Sequence, residues 1–172
     1  YRPLMEVDER SFGILIAYVI PGWIVLLGFS YGSDTIATWL TGSVATSPTI
    51  GGFLFATLAS IGLGVIVSTV RWLVVDPVMH LTGVQPDNLG FVHLQQSHQA
   101  LTILVNGHYR YYQFHANLCI ALPFAATFRW IYGEFRIEEL FGVVVVFAVL
   151  LLGARDTLQK YYVRCGQVLG SQ

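Results

Sequence analysis

Charge is what this chain has least of. Of 172 residues, 11% are Asp, Glu, Lys or Arg, against a hydrophobic share of 55% and a mean hydropathy of +0.62. Soluble domains carry about 25% charged residues, so the deficit alone points to a membrane. The formal net charge is −1, and without a basic excess no nucleic acid binding is expected. Cysteine is scarce too. Cys119 falls inside an apolar run and Cys165 near the C-terminus. Neither belongs to a CxxC pattern, which argues against a disulfide and leaves both as packing residues. No nucleotide-binding loop, nucleophile elbow, HExxH or paired-carboxylate motif occurs. His80, His93, His98, His108 and His115 are scattered relative to Asp76 and Asp87, without the short fixed spacings of a zinc site. Neither a metal nor another cofactor is expected. Residues 1–11 lack a signal-peptide hydrophobic region, so the first apolar segment reads as a retained anchor. No repeat divides the chain into transporter-like halves.

Long apolar runs are what the chain does have. Residues 52–70 contain no charge, and about 20 apolar residues in a helix cover the roughly 30 Å of a bilayer core. The same reasoning gives four spans, at about 12–31, 50–71, 114–131 and 138–155. Pro21-Gly22 and Pro123 fall within spans, where proline removes a helix donor and kinks the helix. Asp34 suits the start of a short interfacial helix through Leu40, and Ser47-Pro48 is a helix-start signature. Asp76 is disfavoured from helix by Pro77 and should restart the chain as the cap of a short helix ending at Gly83. Residues 84–113 form the one sizeable polar stretch, helical from Leu89, with Asn106-Gly107 ending or bending that helix. The fourth helix begins near Ile137, where Glu138 and Glu139 suit its dipole. The expected fold is therefore all-α: an integral membrane four-helix protein with a short cytoplasmic helical segment between the second and third spans. Arg2, Arg10, Arg71, Arg110, Arg155, Lys160 and Arg164 fall on one side, and Arg129 and Arg136 on the other. That bias puts both termini and residues 84–113 in the cytoplasm.

Two side-chain patterns stand out. Gly52, Ala56, Ser60, Gly64 and Ser68 recur at every fourth position and form a small-residue face suited to close helix packing. Asn106, Arg110, Gln113 and Asn117 form a helical stripe of hydrogen-bonding groups entering a span, beside Tyr111 and Tyr112. Polar groups there are costly in lipid, so the stripe should face protein, water or a ligand. The plain alternative is an interfacial belt with a snorkelling arginine. Arg110 suits an anionic ligand or a cytoplasmic protein partner, because its planar fork holds a carboxylate or phosphate through two bonds. Arg71 and Asp76 are candidates for a salt bridge.

IAYVIPGW (16–23), VRWLVVDPVMHLTG (70–83) and NGHYRYYQFHANL (106–118) resemble stretches of small prokaryotic four-span proteins. Such proteins are similar to membrane components found beside bacterial antiphage defence genes. The resemblance implies a multi-pass protein of the cell inner membrane, forming a homo-oligomeric pore or ion channel that acts as an antiviral effector. Against conduction, the spans show no ring of charge and no filter sequence. Two other readings stay open. One is a non-conducting scaffold that anchors a cytoplasmic partner. The other, ranked last, is a lipid enzyme at the membrane interface, for which only the histidines and Asp76 are available.

Overall fold

The computed structural model describes residues 13–42, 50–85 and 100–169. Those residues are helical apart from short turns, with no strand among them. Five helices follow in order: α1 (Leu15–Ser30), α2 (Asp34–Thr41), α3 (Ile50–Leu81), α4 (Arg110–Tyr132) and α5 (Ile137–Leu169). Two of them, α3 and α5, are long and apolar enough to cross a membrane.

Short-range chemistry sets most of the ends. Ser33, extended at φ −145° and ψ 111°, precedes α2, and Asp34 lies in its first turn near the positive end of the dipole. Gly42, at φ 77°, ends it. At the end of α3, Gly83 takes φ 89° while the amides of Val84 and Gly83 donate to the carbonyls of Met79 and His80. This pair of bonds ties off the last turn and tucks Val84 against Met79 in the core. The Ser47-Pro48 start signal and most of the polar helix from Leu89 lie outside the described residues.

Two expected breaks are absent. The chain stays helical through Asp76-Pro77 as far as Leu81, so Asp76 does not start a new helix. Its carboxylate is instead gripped by Arg71 of the same helix and by the distant Tyr112, and these bonds outweigh the local bias against helix. Asn106-Gly107 does not end a helix either. Helix runs from 100 through α4, and the Asn-Gly pair is taken up in a π turn, Val105–Tyr109. A second π turn, Leu15–Val19, opens α1.

Residue pairs fix the arrangement. Gly13 lies against Arg110, Gly28 against Ala125 and Gly32 against Tyr132, so α1 and α4 run parallel. Gly64 meets Tyr18 while Gly22 meets Ser60, so α3 runs antiparallel to α1. Gly153 beside His115 and Glu139 beside Arg129 set α5 antiparallel to α4. The four long helices thus alternate in direction. Arg71, Arg110 and Arg164 come to one end, and Arg129 and Arg136 to the other.

The tightest crossing is between α1 and α3. A Cβ on Gly64 would lie 2.0 Å from the Tyr18 carbonyl oxygen, and one on Gly22 would lie 1.8 Å from that of Ser60. Gly52, Ala56, Ser60 and Gly64 are buried and Ser68 half-buried. The Ser60 hydroxyl donates to the Thr57 carbonyl, so it brings no unpaired group to the contact. Farther along, Val25, Val67 and Ala121 pack with Ile24, Leu63 and Phe124, and Phe29 meets Phe124 and Phe128 edge-on.

The outside is as apolar as the inside. The most apolar window of α5 has a mean hydropathy of 2.3 and is only 11% buried. Phe141, Val144, Val145, Val146, Val149 and Leu152 are exposed there. Only the later part of α5 packs as a stripe, through Ala154, Leu158, Cys165 and Leu169. On α3, Phe53, Leu54, Leu58, Ile61, Val65 and Ile66 are exposed as well. Surfaces of that size mark a membrane or a partner.

The crossing makes a sharp prediction. Gly64→Ala and Gly22→Ala force backbone apart and should each cost at least about 1–3 kcal/mol. Gly62 has open space around its Cβ position. Gly62→Ala should therefore be neutral or slightly stabilising, as measured by thermal unfolding of the purified variants.

Candidate functional site

Polar groups buried in this apolar bundle gather at the end where Arg71 and Arg110 lie. They form two clusters on two sides of the first turns of α4. The α3 side comes first. Arg71 is 3% exposed, and its Nη1 donates to both Asp76 oxygens, at 2.6 and 2.9 Å. The Tyr112 hydroxyl donates to Asp76 Oδ1 at 2.5 Å, and the Arg71 guanidinium lies 5.3 Å from the centre of the Tyr112 ring. The Asp76 carboxylate can only accept, so the Tyr112 hydroxyl is the donor. Met79, Val84, Ala116, Ala154 and Leu158 close around this cluster. His80 bonds the Tyr162 hydroxyl at 3.1 Å, linking α3 to α5. The ion pair is thus largely enclosed, with Arg71 buried and Asp76 half-buried, and reads as a structural clasp.

The α1 side is different. Arg110 stretches across Gly13, whose missing side chain leaves room for the arginine stem. Its Nη1 donates to Gln113 Oε1 at 2.8 Å and reaches the Tyr18 hydroxyl at 3.5 Å. Gln113 Nε2 lies 3.4 Å from the same hydroxyl. No carboxylate pairs with Arg110 among the described residues, and its buried Nε has no partner there. One turn deeper, Asn117 is 0% exposed and its Nδ2 donates to the Ala17 carbonyl at 2.6 Å.

That last bond answers a defect in α1. In an α-helix the Ala17 carbonyl would accept from the amide of residue 21. Residue 21 is Pro21, which has no N–H. The carbonyl lies inside the Leu15–Val19 π turn, deep in the bundle, where an acceptor without a donor is costly. Asn117 supplies a donor from a neighbouring helix. The amide orientation follows from chemistry, since a carbonyl can only accept.

Among the residues singled out by spacing, Arg110, Gln113 and Asn117 therefore line one seam between α4 and α1. Asn106 lies in the preceding π turn, half-buried, and Tyr111 is exposed. Arg71 and Asp76 form their pair on the α3 side. Spacing did not reveal Tyr18, which both Arg110 and Gln113 approach. The available signal was a lone hydroxyl three residues before Pro21 in an otherwise apolar run. Tyr112, beside the stripe in sequence, turns to the α3 side and completes the Arg71–Asp76 clasp. No group of three or more potential metal ligands occurs among the described residues.

Outside the seam, His108 Nε2 meets Arg164 Nη1, joining the start of α4 to the end of α5. Partial burial lowers the His108 pKa, and the Arg164 and Lys160 charges lower it further. A neutral imidazole accepts from the guanidinium, whereas a protonated one is repelled by it.

No protein-family model, curated protein or solved structure matches the chain. The seam's chemistry therefore rests on its own geometry.

Two measurements follow from that geometry. Asn117→Leu should cost about 1–3 kcal/mol, because it strands the Ala17 carbonyl. Pro21→Ala restores an amide at that position. The double variant should therefore lose less than the sum of the two single losses, by more than about 0.5 kcal/mol in a thermal-unfolding cycle. Separately, the folded His108 pKa lies below the ordinary value of about 6.5. The His108–Arg164 contribution is present above that pH and is lost as pH falls toward the lowered value. Wild-type thermal stability should drop on acidification through that window, and His108→Gln should flatten the drop.

Proposed function

We propose that this is a four-span membrane protein with both termini in the cytoplasm, built to act as an oligomeric pore. In this reading α1, α3, α4 and α5 each cross the bilayer, and α2 lies at the outer interface with Trp39 against Phe55. The uncovered apolar surface of α5 and α3 carries the proposal. A water-facing protein with such a surface would aggregate, whereas lipid satisfies it at no cost. The alternation of helix direction supports the topology. It gathers Arg71, Arg110, Arg155, Lys160 and Arg164 at one end, which the excess of basic residues makes the cytoplasmic one.

A pore, in this reading, runs between protomers. Within one protomer the seam stops below Asn117 at Val25, Val67 and Ala121, and the backbones of α1 and α3 touch. The pathway would then be lined by outer faces of several copies, gated by apolar side chains. Stopping cell growth on infection is the role that the resemblance to antiphage membrane effectors implies. Arg110 is the control point: an anionic group arriving from the cytoplasm, on a ligand or a partner protein, meets a guanidinium that pairs with no carboxylate among the described residues. The closed protomer interior favours one other reading, a non-conducting anchor for that same cytoplasmic partner.

Reconstitution separates the two. Purified protein in planar bilayers should give discrete conductance steps, and native mass spectrometry should give a single oligomer number. Arg110→Ala should abolish responsive conductance while leaving insertion and assembly intact. Arg110→Lys should restore only part, since an ammonium lacks the planar fork. An assembled protein that never conducts supports the anchor. Full activity in Arg110→Lys reduces Arg110 to an interfacial cation.

A further inference from the structure

A second feature lies at the opposite end of the bundle, away from the polar seam. Between the last turns of α4 and the first turns of α5 is a cleft of about 430 Å³. It exists because the two helices do not close here. α4 presents Pro123, Ala126 and Thr127, small side chains at helical spacing, opposite Ile137, Leu140 and Val143 of α5. The Thr127 hydroxyl donates to the Pro123 carbonyl at 2.8 Å, so it offers the cleft no free donor. Trp130 lines it toward the end of α4. One charged group reaches the lining, Arg136.

The cations at this end are not equivalent. Arg129 is held by Glu139 through two parallel bonds of 2.8 and 2.7 Å. Arg136 forms no ion pair among the described residues. Glu134 and Glu138 belong to the same turn region but do not line the cleft. The cleft is therefore an apolar slot with one charged group on its lining, a guanidinium that grips no carboxylate among the described residues. From Pro123 to Trp130 it follows two turns of helix, about 10 Å. That is much of one leaflet's share of a roughly 30 Å hydrocarbon core. Pockets of this volume, apolar with one placed charge, have the general form of ligand sites.

We propose that this cleft binds an anionic phospholipid of the outer leaflet, with one acyl chain in the slot and the phosphate on Arg136. Guanidinium and phosphate match in charge and in two-bond geometry. The apolar walls match the chain, and Trp130 suits the level where chain gives way to headgroup. Lipid in this site is held in place, unlike the lipid that merely coats α3 and α5. The proposal rests on the membrane reading above, and on nothing about conduction.

The test uses full-length protein purified in a mild detergent, with lipid measured directly. Native mass spectrometry should find one phosphatidylglycerol retained per protomer. After delipidation, added phosphatidylglycerol should raise the melting temperature by at least about 4 °C more than phosphatidylcholine. Arg136→Gln should make the two lipids equivalent, and Ala126→Phe, which fills the slot, should abolish retention of either. Arg136 is exposed, so its replacement leaves the fold intact even if Ala126→Phe does not. Arg155→Gln, at the other end, should keep the preference. Three results would overturn the proposal: equal effects of both lipids on wild type, a preference that survives Arg136→Gln, or a disulfide between Leu140→Cys copies showing a second protomer in the slot. Protein that remains in the membrane fraction yet shows any of these loses the lipid site and keeps the membrane reading. Protein that is soluble without detergent loses the membrane reading itself.

Discussion

The arrangement depends on one hydrogen bond, from the Asn117 amide to the Ala17 carbonyl. Pro21 denies that carbonyl its α-helical donor, and the Asn117 side chain that bonds it is fully buried. An unmet acceptor in such a place costs more than an ordinary bond contributes. So α4 must lie where Asn117 faces Ala17, and this sets the register of α1 against α4. Gly13 then falls beside Arg110, and Gly28 beside Ala125. The other flank of α1 is fixed by backbone contact, through Tyr18 with Gly64 and Gly22 with Ser60. One polar bond and one glycine crossing thus fix three helices relative to one another. Neither tolerates a neighbour of a different shape.

With that register in place, the charges sort themselves by how they are neutralised. Arg71 and Arg129 each grip a carboxylate, one buried beneath Tyr112 and the other at the opposite end beside Tyr31. Arg110 and Arg136 form no ion pair among the described residues. Paired arginines hold parts of the bundle together, and in the proposed reading the unpaired ones are where anions arrive. If the apolar exterior faces lipid, as proposed, an unmatched guanidinium beside it is costly. The charged side chains therefore lie toward the two ends, with a mainly aliphatic and aromatic middle between them.

Much of this was legible in the sequence. The small residues from Gly52 to Ser68 show as a period of four, because a helix repeats its face near that interval. The stripe from Arg110 to Asn117 shows for the same reason. What spacing could not supply was partnership. Pro21 and Asn117 are ordinary features until a contact spanning 100 positions joins them. The Asp76-Pro77 pair signals a break, and only the distant Tyr112, together with Arg71, reveals why helix persists. Asn106-Gly107 signals an end, yet a π turn absorbs it within a continuous helix. The cleft beside Arg136 was also invisible, since a gap between helices is a property of two faces and leaves no period in either. At Pro21 and at Asp76 the local preference was readable and the distant partner that answered it was not.

The central claim is that the four long helices alternate across a bilayer, and residue accessibility in intact cells tests it most directly. Single cysteines at Thr82, Glu134 and Gln159, with Cys119 and Cys165 replaced by serine, can be challenged with a membrane-impermeant maleimide. Glu134→Cys should label in intact cells. Thr82→Cys and Gln159→Cys should label only after the membrane is opened. Labelling of Thr82→Cys in intact cells, or equal labelling at all three positions, would contradict the alternating arrangement.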